Sequence, residues 1–234
     1  KKMDAVLTGG GKLSAEDLAW LQGLAVVLRI EKREKADKLS DPAELRKVID
    51  KALYKLDVIP AGLVLGQAAY ESGYGTSRFA AKGNALFGQW TYGGKGLVPE
   101  QQRKELGDHR IAAYDWPFDS VRDYFINLSS HPAYEEFRRL RADMRATGNP
   151  LDCMELAQGL KSYSERGQKY VDTLRGIIRV NNLAIADNAV FRDEPMRFLL
   201  TTADEASAVK LRQNIEAMQK SGEIEQIVKR MRLE

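Results

Sequence analysis

A nearly all-apolar segment that follows Pro60 constrains the fold of this chain more than any other feature. Residues 61–69 read Ala-Gly-Leu-Val-Leu-Gly-Gln-Ala-Ala, and a proline is well suited to the start of a helix. A helix that is apolar on nearly all sides has to lie inside a protein. The sequence therefore predicts a central buried helix that runs into Glu71 and ends at Ser72-Gly73.

Helical patterns extend over most of the remaining chain. Ser14 and Asp41 are candidate N-caps, and a short helix is predicted from Ser77 to Lys82. A longer helix is predicted from Gly167 to Asn181, with Tyr170 among its buried residues. These patterns predict a mainly α fold.

Residues 88–114 interrupt the helical pattern. Gln89 to Tyr92 reads as a strand followed by a two-glycine turn, and Arg110 to Tyr114 reads as a return strand. We expect a small β lobe inserted into a helical body, which makes the fold class mainly α (α+β).

The chain divides into three predicted parts. Residues 1–40 are expected to form an N-terminal helix that packs on the body, and residues 41–185 the main domain. Residues 186–234 are expected to be a helical appendage. Its sequence weakly resembles the closing segment of periplasmic solute-binding proteins, and any protein partner that it would dock is unknown.

Composition excludes several kinds of site. The chain has 36 basic and 33 acidic residues, and this balance gives no argument for nucleic acid. With the single cysteine Cys153 and the two histidines His109 and His131, neither a metal site nor a Ser-His-Asp triad is expected. No nucleotide-binding loop is present, so no cofactor is expected.

The hydropathy of the chain and its first residue bear on its expected cellular location. No apolar run reaches the roughly 18 residues that an integral membrane segment needs. The chain begins at Lys1, which is expected of a trimmed or processed product, so an export signal would not be visible.

Glu71 is the residue most suggestive of chemistry. Burial and the C-terminal end of a helix dipole both raise the pKa of a carboxyl group, as a general acid requires. A surface glutamate that pairs with Arg78 is the alternative interpretation. Gly73 and Gly75 favour the general acid over the surface glutamate, because a sharp turn there would leave the carboxyl group at the edge of a cleft.

The segment around Glu71 resembles the bacterial glucosaminidase family, and within it the Bax-like branch. The matching motifs recur in family order across roughly residues 40–183. They are Gln67-Ala68-Ala69-Tyr70-Glu71-Ser72-Gly73-Tyr74-Gly75-Thr76-Ser77-Arg78-Phe79, Asn84-Ala85-Leu86-Phe87-Gly88-Gln89-Trp90, Val98-Pro99, Gln101-Gln102-Arg103-Lys104-Glu105, Tyr163-Ser164, and Gly167 with Tyr170.

This resemblance implies a lysozyme-like fold and hydrolysis of the β-1,4 bond after N-acetylglucosamine in peptidoglycan. Glu71 falls on the catalytic acid of the family and Glu105 on its second acidic position. Glu100 and Asp108 remain alternatives for that second carboxylate. The periplasm or the outer envelope is the expected location, because peptidoglycan lies outside the cytoplasmic membrane.

Substrate-binding residues are expected within these motifs, Trp90 among them because an aromatic face suits the apolar side of a pyranose, and the mechanism is left open. A retaining, an inverting or a substrate-assisted reaction all fit the sequence. The residues expected to bind the glycan are Tyr74, Asn84, Phe87, Trp90 and Tyr163.

Two other functions remain open at this point. A lytic transglycosylase would also carry a single helix-borne glutamate, but that class usually has a Gly-Leu-Met-Gln motif where this chain has Asn84 to Gly88. A non-catalytic module that binds or docks peptidoglycan is the other alternative.

One charged cluster is given a structural interpretation. Arg138, Arg139, Arg141 and Arg145 are interspersed with acidic residues at helical spacing. We expect them to form a solvent-exposed helix face.

Overall fold

The computed structural model of the chain describes residues 13–99 and 110–189. Helices dominate these residues and a small antiparallel sheet interrupts them, which confirms the mainly α (α+β) prediction. The helices are α1 (Ala15–Val27), α2 (Arg33–Ala36), α3 (Pro42–Lys55), α4 (Ala61–Ser72), α5 (Arg78–Gly83), α6 (Pro117–Ser130), α7 (Glu135–Ala146), α8 (Cys153–Leu156) and α9 (Gln168–Val180). Tighter 3₁₀ segments cover Pro132–Tyr134, Ala157–Tyr163 and Leu183–Asn188.

The predicted helix starts are confirmed by their capping bonds. The Ser14 hydroxyl accepts the backbone N–H of Asp17 at the start of α1. At the start of α3, the Asp41 carboxylate accepts two backbone N–H groups, and the Ser77 hydroxyl accepts one at the start of α5. These side chains satisfy N–H groups that have no partner inside the helix, so they fix where each helix begins.

Helix α4 is central, as its apolar sequence predicts. Gly62 and Gly66 allow other elements to come close to it: a Cβ on Gly66 would lie 2.7 Å from Ile178 Cγ1 of α9, and one on Gly62 would lie 2.7 Å from a backbone oxygen of the last 3₁₀ segment. Leu65 is an exception to the predicted burial, because 47% of it is exposed.

The sheet has three short strands, β1 (Trp90–Thr91), β2 (Gly96–Leu97) and β3 (Arg110–Ala112). Strand β3 lies between the other two and pairs antiparallel with both. The predicted strand and its return strand correspond to β1 and β3. Strand β2 was not predicted, since two residues among glycines carry no strand pattern.

Two clusters of buried apolar side chains hold these elements together. The first joins α1 and α2 to one face of α3, and its buried members are Leu21, Ala25, Ala36, Leu39, Leu45, Val48 and Ile49. The second and larger cluster joins α4 to the elements that follow the sheet, and Leu63, Phe87, Tyr124, Phe137, Tyr170 and Leu174 are among its members.

The predicted exposed arginine face is wrong for two of its four members. Arg138 and Arg141 are each only 1% exposed. Arg138 donates to the carbonyl oxygens of Leu128 and His131 at 2.8 and 3.0 Å, at the end of α6. Arg141 donates to three carbonyl oxygens in residues 54–57, where α3 ends. Each guanidinium thus binds the unpaired carbonyls of a helix C-terminus, where a cation is also favoured by the helix dipole.

Several predictions fall outside the described residues. Glu100, Glu105, Asp108 and His109 are among them, and so is nearly all of the predicted appendage at 186–234. Among the helices that the structure describes, none combines the length and the apolar character that crossing a membrane requires.

Candidate active site

A cleft of about 1170 Å³ lies beside the C-terminal end of α4. One face of α6 lines it, together with strand β1 and the loop after the segment Ala157–Tyr163. Its lining residues are Arg29, Tyr70, Glu71, Phe87, Gly88, Gln89, Trp90, Thr91, Tyr92, Ala112, Tyr114, Asp123, Ile126, Asn127, Ser130, His131, Tyr134, Ser162, Tyr163, Ser164, Glu165 and Arg166.

A sharp turn directly after α4 places Glu71 in this lining. Gly73, Tyr74 and Gly75 all have positive φ angles, of 58°, 57° and 80°. The buried Ser72 holds the turn, because its hydroxyl donates to the Ala68 carbonyl at 2.5 Å and accepts the Gly75 N–H at 2.8 Å. The turn ends the helix one residue after Glu71, so the carboxyl group sits at the edge of the cleft.

Glu71 has the chemistry of a weak acid that titrates near neutral pH. Burial raises the pKa of Glu71 to about 7, while a hydrogen bond from the Tyr170 phenol opposes that rise. Burial disfavours the charged form of a carboxyl group, and a donor to the carboxylate favours it. A substantial fraction of Glu71 therefore keeps its proton near neutral pH.

A chain of buried hydrogen bonds orients the phenol that contacts Glu71. Tyr124 Oη donates to Gln67 Oε1 at 2.6 Å, and Gln67 Nε2 donates to Tyr170 Oη at 2.9 Å. Since the Tyr170 oxygen accepts from Gln67, its own proton is free to be donated to Glu71. Burial raises the pKa of Tyr170 and of Tyr124, so both phenols remain neutral donors.

Two further aromatic residues shape the floor of the cleft. The buried Phe87 ring stacks on Tyr124, with 4.0 Å between ring centroids. Tyr163 Oη donates to the Phe87 carbonyl oxygen at 2.9 Å, and its ring stacks on Tyr170. The loop that carries Phe87 is thereby attached to the same aromatic layer that contacts Glu71.

The predicted site residues that the structure describes, which exclude Glu105, separate into two groups. Glu71, Phe87, Trp90 and Tyr163 line the cleft together. Trp90 is 49% exposed there.

The second group lies outside the cleft lining. Tyr74 is 63% exposed in the turn after α4. Asn84 has a positive φ of 50° and donates from Nδ2 to the carbonyl oxygens of Tyr114 and Asp115, both at 3.1 Å. Asn84 thus ties α5 to the end of the β lobe.

Some residues of the site were not predicted from the sequence. Gln67 lies four residues before Glu71, hence on the same helix face, and a polar residue within an apolar helix was a usable signal. Asp123 and Glu165 add carboxylates to the lining. Asp123 and Glu165 reach the cleft only because segments distant in the sequence pack together, so no local pattern predicts them.

No cluster of three or more potential metal ligands occurs within residues 13–99 and 110–189. The chemistry available in the described cleft is that of a protonated carboxyl group, neutral phenols, exposed aromatic faces and scattered charges. This combination suits proton donation to a molecule bound in the cleft.

The sequence of the chain is similar to those of known proteins. The family model described as mannosyl-glycoprotein endo-beta-N-acetylglucosaminidase matches residues 47–183, more than half of the chain. Protein bax of Escherichia coli (strain K12) is 34% identical over 134 residues, which are 57% of this chain and 47% of that protein. The chain therefore aligns with less than half of that relative. No solved structure gives a significant match.

Proposed function

The chain belongs to the glucosaminidase family, and on that premise we propose that it hydrolyses the β-1,4 bond after N-acetylglucosamine in peptidoglycan. The proposal takes the glycan strand to bind in the cleft beside α4, with Glu71 as the general acid. The fold would then be lysozyme-like, a helical body and a small β lobe on either side of a substrate cleft.

The observation that carries this proposal is that the Glu71 carboxyl group lies at the cleft with a raised pKa. Cleavage of a glycosidic bond requires a proton on the departing sugar oxygen. A carboxyl group with a pKa of about 7, at the edge of a cleft, can hold that proton at neutral pH. After the proton has moved, the Tyr170 hydrogen bond favours the carboxylate that remains.

The other expected site residues receive roles consistent with their positions. Trp90 would stack on a sugar ring, since an aromatic face suits the apolar side of a pyranose. Phe87 and Tyr163 would shape the floor beneath the sugar next to Glu71. Asn84 would support the cleft by holding the β lobe, and Tyr74 would contact a part of the strand outside the cleft.

The second carboxylate is proposed with alternatives. Glu105 remains the family-based candidate, with Glu100 and Asp108 as substitutes. Asp123 and Glu165 line the described cleft and become candidates as well. A substrate-assisted reaction, in which the N-acetyl group attacks, would require only Glu71 and an orienting group.

A lytic transglycosylase is the second candidate, because one protonated acid in a cleft also serves that reaction. The segment Asn84 to Gly88 lacks the Gly-Leu-Met-Gln motif that is typical of that class.

A non-catalytic peptidoglycan-binding module is the third candidate. The elevated pKa of Glu71 favours an enzyme, since a module that only binds has no use for a proton donor.

Mass spectrometry of the soluble products from purified peptidoglycan tests these candidates. Wild type, Glu71→Gln and the control Glu155→Gln are compared, because Glu155 is an exposed glutamate outside the cleft lining. Fragments that end in reducing N-acetylglucosamine, lost only in Glu71→Gln, support the proposal. Anhydro-muramic ends would assign a transglycosylase. Retained peptidoglycan binding without fragments would assign a binding module.

The periplasm or cell envelope is the proposed site of action.

A further inference from the structure

The cleft has two chemically different ends along helix α6. Asp123, Ile126, Asn127 and Ser130 line it from one face of that helix, at spacings of three, four and seven residues. Seven residues of helix extend about 10 Å along its axis. The Asp123 end lies beside Tyr114, whose pKa is raised by burial and by the Asp123 charge. The Ser130 end lies beside the N-terminal segment.

Arg29 contributes to the lining at this second end. It lies between α1 and α2 and has a positive φ of 53°, so the helical conformation does not continue through it. Its side chain is exposed and lines the same cleft as Glu71. Within residues 13–99 and 110–189 the guanidinium has no hydrogen-bond or ion-pair partner.

The surroundings of Arg29 are strongly positive. Lys55 Nζ donates to the Ser130 carbonyl at 3.2 Å, and the pKa of Lys55 is lowered by burial and by the charges of Arg138 and Arg29. Glu135 opposes this effect, but its carboxylate is already bonded to Arg138 and to Tyr54. Of the three cations Arg29, Lys55 and Arg138, the Glu135 carboxylate thus bonds only Arg138.

His131 adds a neutral donor at the same place. Burial, followed by the charges of Arg29 and Arg138, lowers the pKa of His131, so its ring is neutral at pH 7. His131 Nδ1 accepts the Ala133 N–H at 3.2 Å, so the proton of the neutral ring is on Nε2. The ring lines the cleft with one donor nitrogen available.

We propose that Arg29 and His131 form a subsite that binds a carboxylate carried by the glycan strand. This proposal rests on the proposed function, because it takes peptidoglycan to be the polymer in the cleft. A guanidinium binds a carboxylate through two parallel hydrogen bonds, and the imidazole N–H can donate to the same anion. The carboxylate could belong to the lactyl group of the muramic sugar or to the attached peptide.

The subsite makes the N-terminal segment part of substrate recognition. Arg29 lies outside residues 47–183, which the family model matches, whereas His131 lies within them. The segment before α3 would therefore distinguish a carboxylate-bearing glycan from a neutral one, while the catalytic centre is built within the matched region.

Calorimetric titration of ligands that cannot be cleaved tests the subsite. All proteins carry Glu71→Gln, and Arg29→Gln is compared with Arg33→Gln, an exposed arginine outside the lining that pairs with Asp37. The ligands are neutral chitotetraose, a tetrasaccharide of alternating N-acetylglucosamine and N-acetylmuramic acid, and the same tetrasaccharide with its peptides. Thermal unfolding midpoints verify that each variant is folded.

Arg29→Gln is expected to weaken binding of a carboxylate-bearing ligand about tenfold, the effect of losing one charged hydrogen bond. Chitotetraose binding and all affinities of Arg33→Gln should be unchanged. A loss already seen without peptides assigns the lactyl carboxylate, and a loss seen only with peptides assigns the peptide. Equal losses on all three ligands, or no loss on any, would overturn the subsite. Fragment release by the protein with Glu71 intact decides the proposed cleavage separately.

Discussion

Gly88 lies against the carboxyl group of Glu71: a Cβ added at Gly88 would be 3.2 Å from Glu71 Oε2. The two residues are 17 positions apart and meet because α4 and the loop after α5 both end at the cleft. Gly88 also has a positive φ of 60°, so its backbone conformation and its location both favour glycine.

Gly88→Ala should therefore impair catalysis beyond its effect on stability. The added methyl group would shift the Glu71 carboxyl group by a few tenths of an ångström, and we expect fragment release to fall about tenfold, less than the roughly 10²-fold that a misplacement of about 1 Å can cost. Gly94→Ala is the matched control, because Gly94 has a φ of 75° and nothing within 4 Å of an added Cβ. Both variants should lose about 1–2 kcal/mol of unfolding free energy from backbone strain. Equal activity of the two would contradict the role of this contact.

Glu71→Gln should reduce turnover on peptidoglycan by about 10²–10⁴-fold. Glutamine keeps the shape of the side chain but cannot donate the proton that the leaving oxygen needs, and this range is typical of general acid catalysis. The rate of fragment release is the measurement, with Glu155→Gln as the control. Activity near that of wild type in Glu71→Gln would show that Glu71 is not the general acid.

The stability of wild type should fall as pH rises from 4.5 to 7, relative to that of Glu71→Gln. In this range the native state retains a proton on Glu71, whose pKa is about 7, whereas the unfolded chain has released it. Folding then takes up a proton, so it becomes less favourable with increasing pH, by up to about 3 kcal/mol for a shift of this size. Urea unfolding of both proteins at pH 4.5 and pH 8 measures the effect. A constant difference between them would contradict the raised pKa, whatever the substrate is.

Tyr170→Phe should move the alkaline limit of activity to higher pH. The Tyr170 hydrogen bond lowers the pKa of Glu71, so its loss should raise that pKa further and extend the range in which the acid is protonated. It also leaves buried Gln67 Nε2 without its acceptor, at a cost of about 1–3 kcal/mol in stability.

The pH profile of fragment release is the measurement for this variant. Tyr54→Phe is its control, since that phenol donates to Glu135 outside the cleft lining. A profile of Tyr170→Phe that coincides with that of Tyr54→Phe would show that the phenol does not influence Glu71.

Arg141→Met should destabilise the protein strongly, and Arg139→Met should not. Arg141 is buried and donates to three carbonyl oxygens at the end of α3, which would lose their partner. We expect a loss of about 3 kcal/mol or more from Arg141→Met. Arg139 forms exposed ion pairs that contribute less than about 1 kcal/mol. Urea unfolding measures both, and similar losses would contradict the capping role.

Local signals predicted the helices well. Ser14, Asp41 and Ser77 each begin a helix by the capping bond that their side chains suggest. Gly73 ends α4 in the left-handed conformation that glycine adopts readily. Such signals act within a few residues, so a sequence reveals them without knowledge of the tertiary structure.

Long-range contacts were not predictable in this way. Arg138 and Arg139 look alike in the sequence, yet Arg138 is buried against the end of α6 and Arg139 is exposed. Their difference depends on where other helices end. The same holds for Tyr170 and Glu71, which are 99 residues apart and meet only through the packing of α9 on α4.

The site was predicted in part for the same reason. Glu71 could be selected because its helix, its turn and its motif are contiguous in the chain. Gln67 is on the same helix face as Glu71 and could have been found from that spacing, whereas Asp123 belongs to the site only through packing. The second carboxylate at Glu105 stays a prediction.

The first apolar cluster determines where the chain can be truncated without exposing buried residues. Leu45, Val48 and Ile49 of α3 pack against residues of α1 and α2, which precede residue 47. A fragment cut to the family-matched span would begin inside α3 and present Val48 and Ile49 to water. Such a fragment would be prone to self-association, and the unit that recurs among relatives is therefore smaller than the unit that should be expressed.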